Sequence, residues 1–167
     1  SFEKSRTFQK TEPQVGIRFV CILRDDIRFV FVDEVNRIER RTFDGNEAGL
    51  ELGKSDVEVT CITALGLKFI LLGCANGQWL WFQLSGLSQG KYPADVDAIS
   101  QVKSKPGDFS RHFVLGSFDG WVKLWSVEDF TEPRSIWSHK VSSDPITAIA
   151  FLPDSEDVII CSGEQVS

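Results

Sequence analysis

Methionine does not occur in the 167 residues, so residue 1 is not expected to be a natural start, and the chain reads as a piece of a longer protein. Histidine occurs twice, at His112 and His139. The four cysteines, Cys21, Cys61, Cys74 and Cys161, form no CxxC pair. A structural zinc site draws on four closely spaced Cys or His ligands, so no metal is expected. Each cysteine lies in or beside an apolar run. Buried free thiols in a reducing compartment, cytoplasmic or nuclear, are the expectation.

Long hydrophobic runs are missing as well. The greasiest stretch, Ala64 to Ala75, is broken by Lys68 and by glycines. It is too short to span a bilayer, so no membrane insertion is expected. Excess positive charge is absent too: the net charge is −6. A nucleic-acid binder carries a basic stripe, and Arg37 to Arg41 is a short run that reads as a solvated strand rim. Direct nucleic-acid contact is not expected. Nor is there a Walker or Rossmann glycine motif, the short patterns that cradle a phosphate. Asp25-Asp26 and Asp154 to Asp157 are acidic but fall in turns. No catalytic residue, cofactor or small-molecule substrate is therefore assigned.

What is present is aromatic and strand-like. Thirteen phenylalanines and five tryptophans supply bulk for a packed interior. Short apolar segments alternate with Gly, Asn, Asp and Pro turns, and no stretch of ten residues keeps a 3.6 period. Strands are expected at 17–23, 27–32, 37–43, 57–63, 67–73, 78–84, 96–102, 112–116, 121–127, 134–139, 146–151 and 157–161. Residues 44–56 and 85–95 read as polar connections. The fold class is all-β, with a polar segment over 1–16 and one domain over 17–167.

The strands repeat. "ILLGCANGQWLWFQL" (Ile70 to Leu84) aligns without a gap on "FVLGSFDGWVKLWSV" (Phe113 to Val127), 43 residues later. Asn76-Gly77 falls on Asp119-Gly120, and Phe82 falls on Trp125. A fainter copy, Phe29 to Phe43, precedes the first by 41, with Asn36 in the glycine's place. A fourth begins at Ile146, 87 residues after Val59. A period in the low forties with hairpins and a glycine turn marks propeller-type repeats. A unit that is apolar on both faces needs neighbours to cover it. In Gln78 to Leu84, alternation sends Trp79 and Trp81 to one face and Leu80, Phe82 and Leu84 to the other. A small two-sheet sandwich is the alternative, but it does not explain the ungapped offset.

These residues resemble the WD-repeat family of β-propellers, over roughly residues 17 to 163. Asp119 stands six residues before Trp125, where that family places a structural aspartate, and Leu124-Trp125 matches the hydrophobic-Trp ending, with Ser126 in place of the final aspartate. Asn76, Gly77 and Phe82 hold the matching places one copy earlier, and His139 matches the histidine of the family's Gly-His pair. The resemblance implies a partial β-propeller of about three to four blades. In it Asp119, Gly120, Trp125, Asn76, Gly77, Phe82 and His139 are structural, with the aspartate bonding turn amides and a histidine. It also implies a non-catalytic scaffold or adaptor that binds other proteins within a complex. The alternative is a substrate-receptor or chromatin-associated propeller. Trp121, just after the turn, and Trp137, after a proline-containing loop, are the candidate protein-binding residues.

Overall fold

The computed structural model describes residues 15–163 and 165–166. Of the polar segment expected over 1–16, residues 1–14 lie outside the described residues. The described chain is all-β and forms four separate antiparallel sheets. The first contains β1 (Ile17–Ile22), β2 (Arg28–Asp33), β3 (Arg37–Thr42) and β4 (Leu50–Lys54). The second contains β5 (Val59–Leu65), β6 (Phe69–Cys74), β7 (Gln78–Gln83) and β8 (Gln89–Pro93). The third contains β9 (Ile99–Ser104), β10 (His112–Ser117), β11 (Trp121–Ser126) and β12 (Arg134–Lys140). The fourth contains β13 (Ile146–Phe151), β14 (Val158–Ser162) and β15 (Gln165–Val166). Each is a meander in sequence order. There are four sheets, not the two of a sandwich.

β15 lies beyond the last expected strand, and β4 and β8 fall in the expected connections. The latter two are outer strands with little to bury. β4 sends Leu52 inward and exposes Glu51 and Lys54. β8 exposes Gln89, Lys91 and Pro93 and has a glycine at its second position. A proline and a glycine are compatible with an edge strand, but they remove the hydrophobic alternation by which a strand is read.

The sheets stack face to face. The first strands lie side by side, β1 against β5, β5 against β9 and β9 against β13. Three apolar layers result. Val30, Val32 and Ile38 of the first sheet pack on Ile70, Leu72, Leu80 and Phe82 of the second. Leu71, Trp79 and Trp81 of the second pack on Ile99, Phe113, Leu115 and Trp125 of the third. Val114 and Val122 of the third pack on Ile146, Ile149 and Ile160 of the fourth. The second sheet is thus buried on both faces, with its tryptophans on one side and Leu80, Phe82 and Leu84 on the other, as the alternation predicts. Burial of each large apolar side chain contributes about 1.5–3 kcal/mol. Trp79 is fully buried, with its ring 5.0 Å from Phe113 and 5.5 Å from Trp125, both edge-on.

Candidate interaction surfaces

The hairpin turns between the second and third strands line one end of the stack and share one geometry. Asn36, Gly77 and Gly120 adopt φ of 60°, 81° and 86°. Their amides donate to the carbonyls of Asp33, Cys74 and Ser117, at 3.0, 3.2 and 3.3 Å. Their own carbonyls accept from Ser55, Ala94 and Val141, just beyond the outer strands, at 2.9, 2.9 and 3.0 Å. The left-handed residue therefore ties the turn to the connection leading to the next sheet. A Cβ at Gly77 would lie 2.1 Å from the Val96 carbonyl oxygen, and one at Gly120 would lie 2.0 Å from that of Ser142. Glycine is required there by space as well as by torsion. Asparagine serves at position 36, tolerating the left-handed region, and its Oδ1 accepts the Val59 amide at 3.2 Å.

The side chains of these turns have structural partners. The Ser117 hydroxyl donates to the Asp119 carboxylate and accepts the Trp121 amide at 3.0 Å. Asn76 Oδ1 accepts the Gln78 amide at 3.1 Å. Asp33, in the place of Ser117, accepts the Val35 and Arg37 amides at 3.0 and 2.9 Å and the Arg37 guanidinium at 2.9 Å. Burial alone would raise its carboxyl. The Arg37 amide and guanidinium and the Val35 amide outweigh that and hold it below the usual carboxylate range. Asp33 was missed in the sequence because it stands three residues before Asn36, not one.

Phe82 and Trp125 face the preceding sheet from matching core positions. His139 is exposed on β12 and stacks on Trp137, with centroids 5.8 Å apart. Trp137 is 46% exposed and, with Leu124, Phe151 and Ile160, lines a cavity of about 440 Å³ between the third and fourth sheets. Trp121 is half-buried at the start of β11. The two candidate binding tryptophans thus lie on different strands of one sheet and are not brought into a single patch. A more exposed aromatic, Phe109 at 87%, sits in the β9–β10 loop. Its signal in the sequence was a phenylalanine inside a polar, glycine-containing loop, where no strand needs it.

The chemistry of the thiols is subdued. Desolvation pushes Cys61 up to about 12 and raises Cys74 and Cys21. All four cysteines are free. Among the described residues, no three His, Cys, Asp or Glu side chains converge as a metal set, and no helix is long and apolar enough to cross a membrane.

Fold and surface together define the class as an all-β repeat protein of stacked antiparallel sheets. No protein-family model matches the chain, and no curated protein matches it either.

Proposed function

We propose that the chain is part of a WD-repeat-type β-propeller that acts as a protein-binding scaffold or adaptor in a multiprotein assembly of the cytoplasm or nucleus. The observation that carries this reading is the recurrence of one turn, with the same torsion and the same pair of backbone contacts, in successive sheets whose first strands lie side by side. A rigid stack of this kind presents many short loops at fixed positions, which suits it to holding partners. Asp119 and Asn76 are engaged within their own turns, in keeping with structural roles. The test is purification of the full-length protein from its native cells at low salt, with cross-linking and mass determination. A fixed set of partner proteins in stoichiometric amounts is expected. Recovery of the protein alone would reject the scaffold role.

A further inference from the structure

The loop from Lys105 to Arg111 is the longest connection between the first two strands of any of the four sheets. Its backbone is nonetheless held at several points. The Asp108 carbonyl accepts the Leu67 amide at 3.0 Å, and its carboxylate takes Arg24 Nε at 2.9 Å. The Lys105 amide donates to the His112 carbonyl at 2.9 Å, and Ser110 to that of Gly107 at 3.3 Å. The Arg111 guanidinium lies over the rings of Phe69 and Phe130, at 4.7 and 5.9 Å. Between these anchors Phe109 projects into solvent, 87% exposed, and Leu67 beside the loop is 38% exposed. An aromatic held outward by an ordered backbone loses little entropy when a partner covers it, which is the condition for a binding hot spot.

The surrounding charge narrows the partner. Arg24, Lys68, Lys105 and Arg111 carry four positive charges around this loop, in a chain whose net charge is −6. Of the nearby carboxylates, Asp108 and Glu156 are paired, to Arg24 and to Lys105, while Asp157 lines one cavity with Lys105 and Glu156 without an ion pair of its own among the described residues. Among the described residues, Lys68 and Arg111 have no carboxylate partner. An apolar anchor flanked by two cations without carboxylate partners is complemented by an apolar socket edged with carboxylates.

We propose that Phe109, with Leu67 beside it, is the anchor through which this protein docks a partner segment offering an apolar socket flanked by Asp or Glu side chains. The proposal rests on the scaffold reading and names the surface it uses. A displayed library of random short peptides, selected on the full-length protein, tests it. Acid-rich peptides with apolar residues are expected. Their affinity should fall roughly tenfold or more in Phe109→Ser and in Lys68→Glu, with no change in the unfolding midpoint of Phe109→Ser. Selected peptides that are neutral or basic, or that bind Phe109→Ser unchanged, overturn the anchor. So does tight binding to anionic lipid vesicles with no peptide retained, since a basic loop with an exposed phenylalanine would then be a membrane contact. A native partner complex that survives Phe109→Ser overturns the anchor and leaves the scaffold role standing. The absence of any partner complex removes the scaffold role itself.

Discussion

At the scale of single residues, the turn glycines make the sharpest demand. Gly120→Ala meets both a left-handed torsion, costing about 1–2 kcal/mol, and the Ser142 carbonyl oxygen 2.0 Å from the new methyl. A loss of about 3 kcal/mol or more is expected from the two together. Gly45 has φ of 70°, and a methyl placed there would meet nothing within 4 Å, so Gly45→Ala should cost about 1 kcal/mol. Urea midpoints of the two variants separate torsion from crowding. Asp33 makes the corresponding demand through charge. Its folded-state pKa lies below its unfolded value, so its contribution is fully present above the unfolded pKa, about 3.9. That contribution fades as pH falls through the lower folded value. Asp33→Asn is therefore expected to lose about 1–3 kcal/mol near neutral pH and to show a shallower loss of stability under acid. An equal acid slope in both proteins would show that Asp33 is not the linked group. The thiols give a third check. With Cys61 pushed up to about 12 by desolvation and buried, alkylation at mildly alkaline pH should leave Cys61 unmodified until the protein unfolds.

At the scale of elements, neighbouring sheets solve one packing problem in opposite ways. In the second sheet Trp81 pairs with Gly90, and a Cβ on that glycine would sit 2.4 Å from the indole nitrogen. In the third sheet the matching pair is Leu124 with Trp137. The large ring has moved from the third strand to the fourth while facing the same way. This accounts for Trp137 by packing at least as well as by partner binding. Gly90→Ala should cost about 1–3 kcal/mol by overpacking. Adding Trp81→Leu should return part of that loss, with a coupling of about 1 kcal/mol in a double-mutant cycle; strict additivity would deny the exchange. The same pair explains what the sequence could reveal. The middle strands of the second sheet were legible because both of their faces are apolar, so Trp79 to Leu84 announced its two sides. β4 and β8 were not, because an outer strand that yields space to its neighbour's ring looks like a loop. The turn at Asn76-Gly77 and Asp119-Gly120 was legible through its glycine, and Asn36 through its offset. Phe109 stood out only as a phenylalanine in a polar loop; its exposure was not legible, because it is a property of how the loop is pinned by Arg24, Leu67 and His112, residues far from it or unremarkable in the sequence.

At the scale of the whole molecule, the two end faces carry the residues of an internal layer. Phe29, Phe31 and Phe43 of the first sheet hold the places of Ile70, Leu72 and Leu84 in the second and of Phe113, Leu115 and Val127 in the third. Those six are at most 3% exposed, whereas Phe43 is 57% exposed, with Val20 at 55% and Ile22 at 59% on the same face. At the other end Ile159 is 39% exposed where its counterparts Leu71 and Val114 are buried. Glu39 and Arg41 interrupt the first face, and Arg41 covers the Phe31 ring at 5.3 Å, so it is less apolar than an internal layer but far from a solvent surface. Contacts between neighbouring repeats are a main source of stability in such stacks, and exposed apolar faces promote association. The 167-residue chain expressed alone is therefore expected to self-associate as its concentration rises and to unfold over a broad range. Val20→Lys with Ile22→Lys should shift it toward monomer, since both side chains lie on the open face and neither contributes to a buried layer. Light scattering across a concentration series reads the outcome. A monodisperse wild-type monomer with a sharp unfolding transition would mean that the four sheets suffice on their own, and that these faces are tolerated as surface and need no neighbour.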